Sequence, residues 1–256
     1  MYRKTILAGL LSVLIWGASC SSRLHLVGVE RTRILIDSTF DNTPNKEAWD
    51  FVQPYRARID SMMSPVVGRL SHDMAAYRPE SPLSNLLSDI LLWAGKNYGE
   101  QADFAVYNIG GIRAVLPKGN VCVGDVLEVA PFENKICFVS LTGEKVMELF
   151  GQIALQGGEG VSRGVEMKIS SDHKLISALL HGKEIIKTEK YRIATIDYVA
   201  QGNDQMVAFK SATDIHQPEG EANNVRFVIM DYLREKAKEG VEVAAEKEGR
   251  IVVVNP

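Results

Sequence analysis

From Pro82 onward the chain alternates segments of helical periodicity with short apolar runs of strand length, and this alternation restricts the fold more than any other feature. "PLSNLLSDILLWA" carries Leu83, Leu86, Leu87, Ile90, Leu91 and Ala94 at three- and four-residue spacings, which predicts an amphipathic helix. "ADFAVYN" and "KICFVSL" read as buried strands. Thr142 then caps a helix over "GEKVMELFGQI", with Val146, Leu149, Phe150 and Ile153 on one face. "GVEMKIS" alternates strictly, as a half-exposed strand does, and "LISALLHGKEII" reads as a hairpin turning at His181-Gly182. "KYRIATI" is a further strand, residues 223–238 form an amphipathic helix, and "RIVVV" closes the chain. Helices and strands in this order predict an α/β fold, a mixed sheet covered by helices.

The first residues have a different character. "MYRKTILAGLLSVLIWGASC" places Arg3 and Lys4 before an apolar run and then small residues before Cys20, the pattern of an export signal. A cysteine after small residues predicts lipoprotein processing, with residues 1–19 removed and Cys20 lipidated, so that the chain is exported and anchored to a membrane. The absence of an acidic cluster after Cys20 favours the periplasmic face. Residues 20–45 then read as a tether with one alternating strand at Arg33–Asp37, and residues 46–256 as the domain. Lys46 to Met63 has a helical pattern, in which Pro54 either kinks the helix or starts a second one. A net charge of −3 provides no basic field for nucleic acid. Cys122 and Cys137 are left as either a pair or two buried thiols.

Three strand exits carry chemistry. "YNIGGIR", residues 107–113, is either an ordinary turn or a point where a ligand comes close to the backbone, since Gly110 and Gly111 remove two side chains and Arg113 offers a fork of donors to a phosphate or carboxylate. Phe132 in "APFENK" is either a lid on the local core or a stacking surface. "TIDYVAQGND" brings Tyr198 and Asp204, the latter either capping a turn or accepting hydrogen bonds from a ribose diol. Two rings, an arginine, an amide and a carboxylate are together what a nucleotide needs, provided that the loops converge.

These residues lie in segments that resemble a known family. "ESPLSNLLSDIL", "ADFAVYNIGGIR", "GDVLEVAPFENKICFVSLTGEKVMEL" and "YRIATIDYVAQGND" are similar, in order and spacing, to the C-terminal domain of bacterial and animal 5'-nucleotidases, over roughly residues 46–256. The resemblance implies a layered α/β/β/α fold and a nucleotide site. In that site Asn108 contacts the base, Arg113 the phosphate and Asp204 the ribose hydroxyls, while Phe132 and Tyr198 sandwich the base. Arg78 is the nearest match to a second phosphate-binding arginine of the family, displaced by a residue. The family has phenylalanine at the place of Tyr198, and Gly-Gly-Asp where this chain has Gly202-Asn203-Asp204.

Members of the family hydrolyse phosphate esters with two metal ions held by a metallophosphoesterase domain marked by Asp-x-His and Gly-Asn-His-Asp/Glu. The chain is read as having neither motif, its histidines at 25, 72, 173, 181 and 216 being scattered. The expectation is therefore a nucleotide-recognition part of a split 5'-nucleotidase that binds no cofactor itself, with divalent metals on a separate phosphoesterase chain. The alternatives are a stand-alone nucleoside- or nucleotide-binding lipoprotein and a domain that only docks to another protein.

Overall fold

The computed structural model describes residues 26–40 and 45–254, so the export signal and Cys20 lie outside the described residues. The chain divides into two units, residues 1–51 and 52–256. In the first, residues 26–36 have no regular structure and Ser38–Phe40 form one 3-10 turn, opened by Asp37 Oδ1 accepting the Thr39 amide at 2.9 Å. The strand expected at Arg33–Asp37 does not form, because no strand among the described residues offers it the backbone partners a ladder needs. Helix α1, Lys46–Met63, contains the division at residues 51–52; it starts at an Asn45 cap and runs through Pro54 as one helix. None of its residues is buried, so the hydrogen bond lost at Pro54 leaves no carbonyl shut away from water.

The second unit then runs β1 (Val66–Leu70), α2 (Pro82–Ala94), β2 (Phe104–Tyr107), β3 (Gly119–Cys122), α3 (Val123–Val129), β4 (Ile136–Thr142), α4 (Gly143–Leu155), β5 (Gly160–Val161), β6 (Val165–Ser170), β7 (Leu175–Leu180), β8 (Lys183–Glu184), β9 (Lys190–Ile196), α5 (Asp197–Ala200), β10 (Thr213–His216), α6 (Val225–Lys238) and β11 (Ile251–Val254). The central sheet has the order β10-β4-β9-β2-β5, with only β2 and β9 parallel. A second sheet has the order β11-β6-β7-β8, and β1 pairs antiparallel with β3. All four residues of β2 are buried, as the uninterrupted apolar run requires, whereas β6 buries Val165, Met167 and Ile169 and exposes Glu166 and Lys168. The hairpin turns at His181 and Gly182, both at positive φ.

Helix α2 packs on β2, β5 and β9, while α4 touches β4 and β9 of the central sheet and β7 of the second and so lies between them. Phe104, Phe138, Phe150 and Phe209 are fully buried, with Phe104 and Phe150 meeting at 5.4 Å between ring centres. Ser81 caps α2 in a reciprocal box with Ser84, and Pro82 occupies its first turn. The polar residues around that cap hold the end of the chain. Buried Glu80 accepts from Asn85 Nδ2 and the Glu248 amide, each at 2.7 Å, and from the Gly249 amide at 3.0 Å. Arg250, also buried, forks onto Asp89 at 2.8 and 2.7 Å. Cys122 and Cys137 are free thiols rather than a pair, and burial pushes the Cys137 thiol up to about 11. No helix among the described residues is long and apolar enough to cross a membrane.

Candidate functional site

The three strand exits meet. A cleft of about 230 Å³ is lined by Asn108, Gly110, Gly111, Phe132, Asn134, Tyr198 and Asp204.

Each wall has a local cause. Where β2 runs out, Asn108 opens a 3-10 turn over Ile109–Gly111. The Asn108 side chain folds back over that turn, only 3% exposed, and donates Nδ2 to Asp204 Oδ2 at 2.5 Å. A Cβ on Gly111 would lie 2.8 Å from Asn108 Oδ1, so the amide can occupy this place only above a glycine. At Gly110 a Cβ would meet only Asp204 Oδ2, at an ordinary 3.5 Å. Asn108 Oδ1 is buried without a hydrogen-bond partner.

Phe132 stands 49% exposed on the loop between α3 and β4. That loop hangs from the start of α6: Arg226 Nη2 donates to the Pro131 carbonyl, and the Val225 amide to the Asn134 carbonyl, each at 2.8 Å. Tyr198, 39% exposed on α5, lines the same cleft and donates its hydroxyl to Asp204 Oδ1 at 3.0 Å. Asp204 beside it holds the Tyr198 hydroxyl above the ordinary tyrosine value, mainly through that hydrogen bond. Asp204 has φ +49°, in the left-handed region, and is fixed there by Gln156 Nε2 on its carbonyl at 2.6 Å. Asn203, where the resemblance leads one to expect glycine, uses its Nδ2 to hold the Tyr198 carbonyl at 2.8 Å.

Two arginines lie outside the lining. Arg113 is exposed, its backbone amide on the Val129 carbonyl and its Nη1 at 3.3 Å from the Gly110 carbonyl. Arg78 donates Nε to the Gly158 carbonyl at 2.8 Å and Nη2 to Glu159 Oε1. Glu159, 1% exposed, accepts the Ile109 amide on its other oxygen at 2.5 Å, so Arg78 supports the glycine turn from behind. Burial pushes the Glu159 carboxyl above the usual range, against the Ile109 amide and the Arg78 charge.

Asn134, Gln156 and Glu159 escape sequence reasoning. Asn134 had a signal, being two residues past Phe132 in the same loop. Nothing in the sequence marks Glu159, which lies 50 residues from the amide it holds.

A family model described as "5'-nucleotidase, C-terminal domain" matches residues 66–211, more than half of the chain. The chain belongs to the 5'-nucleotidase C-terminal domain family. The match contains every residue lining the cleft, together with Arg78, Arg113, Gln156 and Glu159. A 5'-nucleotidase of Vibrio parahaemolyticus is 28% identical over 171 residues, which cover 63% of this chain and 30% of that one. A cell wall protein of Listeria monocytogenes is 25% identical over 82% of this chain and 30% of its own length. Among solved structures, a 5'-nucleotidase precursor of Thermus thermophilus superposes with a TM-score of 0.65 at 26% identity, covering 82% of this chain and 43% of that one. The chain thus spans less than half the length of these relatives.

The metal-binding motifs require one correction. Asp214-Ile215-His216 spells Asp-x-His, which the sequence reading passes over. It lies on strand β10, where Asp214 pairs with Lys190 at 3.0 Å and His216 Nδ1 sits 2.7 Å from Glu100 Oε1. Among the described residues, no group of three or more His, Cys, Asp or Glu is arranged to hold a metal ion. These residues therefore do not fit the dimetal centre of a phosphoesterase.

Proposed function

We propose that this chain is the nucleotide-recognition part of a 5'-nucleotidase-type hydrolase in nucleotide catabolism. The observation that carries the reading is the cleft itself, which two half-exposed rings and a carboxylate line together. Phe132 and Tyr198 sandwich the base, each stack worth about 1–3 kcal/mol. Asp204 takes the ribose hydroxyls, and Gly110 and Gly111 let the ligand approach the backbone. Asn108 is committed to Asp204 and packed on Gly111, so its part is to orient that carboxylate. The amide presented to the base edge is that of Asn134, which lines the cleft beside Phe132. Arg113, exposed and with an incompletely used fork, takes the phosphate, while two edges of Arg78 are spent on Glu159 and Gly158.

Catalysis in this reading comes from a separate dimetal phosphoesterase chain that supplies the divalent ions, and the present chain binds none. Its export signal and Cys20 tether it to a membrane on the periplasmic side. Calorimetry should give binding of adenosine and AMP, with Arg113→Ala weakening AMP while sparing adenosine. AMP hydrolysis with Mn²⁺ should appear only when a metallophosphoesterase is added. Robust hydrolysis by this chain alone would sink the division of labour. One observation favours a stand-alone binding lipoprotein: the cleft is lined entirely from within residues 108–204. That reading requires full affinity with no gain from any partner.

A further inference from the structure

Resting on the nucleotide reading of the cleft, we propose that the Tyr198 hydroxyl occupies an acceptor position on Asp204 that a sugar hydroxyl would otherwise use, so that Tyr198 lowers the affinity for ribose-bearing ligands. Both Asp204 oxygens have donors from the chain itself, Tyr198 on Oδ1 at 3.0 Å and Asn108 on Oδ2 at 2.5 Å. The two ties differ in how readily they can be exchanged. Asn108 is buried and packs so close over Gly111 that a single added Cβ would crowd its amide, so it is the less readily exchanged of the two. Tyr198 is 39% exposed on a helix of four residues, and solvent is available to its hydroxyl once it lets go. A hydroxyl donating to a carboxylate is also the contact that a ribose hydroxyl makes. The tyrosine is thus an internal competitor for the sugar, and its ring and its hydroxyl act in opposite directions: the ring adds stacking, while the hydroxyl takes one of the acceptor positions on Oδ1 and leaves a diol fewer to use. Because Asp204 raises the Tyr198 pKa, the hydroxyl remains a donor throughout the neutral range.

The test is calorimetry on the full chain and on Tyr198→Phe with adenosine and with adenine, which has no sugar. Phenylalanine keeps the ring and frees Oδ1. Adenosine should bind about five-fold more tightly to the variant, the scale of one hydrogen bond to a charged group partly replaced by water, while adenine changes by less than about two-fold. Unchanged or weaker adenosine binding overturns the inference, because the tie would then serve to orient the ring. An equal shift for both ligands also overturns it, by tracing the effect to stacking. Failure of the unaltered chain to bind either ligand removes the nucleotide reading and this inference with it. A readout independent of any ligand is ultraviolet titration of the tyrosines. In Asp204→Asn one tyrosine should move down toward its ordinary value, a change absent when Tyr198→Phe is already present. A titration curve that ignores Asp204→Asn refutes the tie itself.

Discussion

Adjacent glycines in the turn at 109–111 should respond oppositely to the same methyl group. At Gly111 an added Cβ meets Asn108 Oδ1 at 2.8 Å and Nδ2 at 3.2 Å, and the buried amide cannot move outward without leaving Asp204. Its hydrogen bond to that carboxylate is worth about 1.5–3 kcal/mol, as for other bonds to charged groups. Against this, replacing glycine by alanine removes about 0.4–1 kcal/mol of unfolded-chain entropy where the backbone accepts a side chain, and neither glycine has positive φ. Gly111→Ala should therefore cost a net amount of about 1–2 kcal/mol, while Gly110→Ala, whose Cβ meets only Asp204 Oδ2 at 3.5 Å, should be neutral or slightly stabilising. Urea unfolding of the two variants reads the difference as a shift in midpoint at constant slope. A double-mutant cycle makes the test specific: in an Asn108→Ala background the obstruction is gone, and Gly111→Ala should cost nothing. Equal stability of the two alanine variants, or a Gly111→Ala cost that persists without Asn108, would refute the packing argument.

Phe132→Ala should weaken adenosine and AMP alike by about ten-fold or more in calorimetry, since one stack of roughly 1–3 kcal/mol is lost. Glu159→Gln can accept at only one oxygen, leaving either the Ile109 amide or Arg78 without its acceptor, and should lower stability by about 1–3 kcal/mol in urea unfolding. Glu100, held by Arg192 at 2.6 and 2.8 Å, has its carboxyl pulled below the usual range, first by that hydrogen bond. A depressed folded-state pKa contributes stability above the unfolded value and loses it as pH falls below the ordinary carboxylate range. The midpoint should therefore drop on acidification, and less steeply in Glu100→Gln.

The elements with strong periodicity were legible in the sequence. The face of α2 from Leu83 to Ala94, the alternation of β6 and the turn at His181-Gly182 all follow from residue pattern, because burial on one side imposes it. Strand β1 was not legible, because Gly68 interrupts its apolar run for the sake of a neighbour: a Cβ there would lie 2.9 Å from Leu233 Cβ on α6. The stretch Arg33–Asp37 fails in the opposite sense, having a strand pattern without a partner. At the cleft, residue types suggested which loops matter, but their convergence depends on strand order, which no local pattern contains. Arg78 illustrates the limit: its position near "SPLSN" suggested a phosphate, whereas its guanidinium lies on Glu159, a residue 81 positions away.

The way the stacking loop hangs from α6 has a practical consequence for anyone trimming this chain. The recognisable family region ends at Ser211, but the anchors of Phe132 at Arg226 and Val225 come later, as do Glu248 and Gly249, which satisfy buried Glu80. A fragment cut at Ser211 would keep every residue lining the cleft and lose the supports of one wall, along with the partners of a buried carboxylate. Such a piece should express as an unstable protein with weak ligand affinity, and its failure would say nothing about the chemistry of the cleft. The boundary visible by similarity and the boundary of cooperative folding are different, and only the second one is safe to cut at.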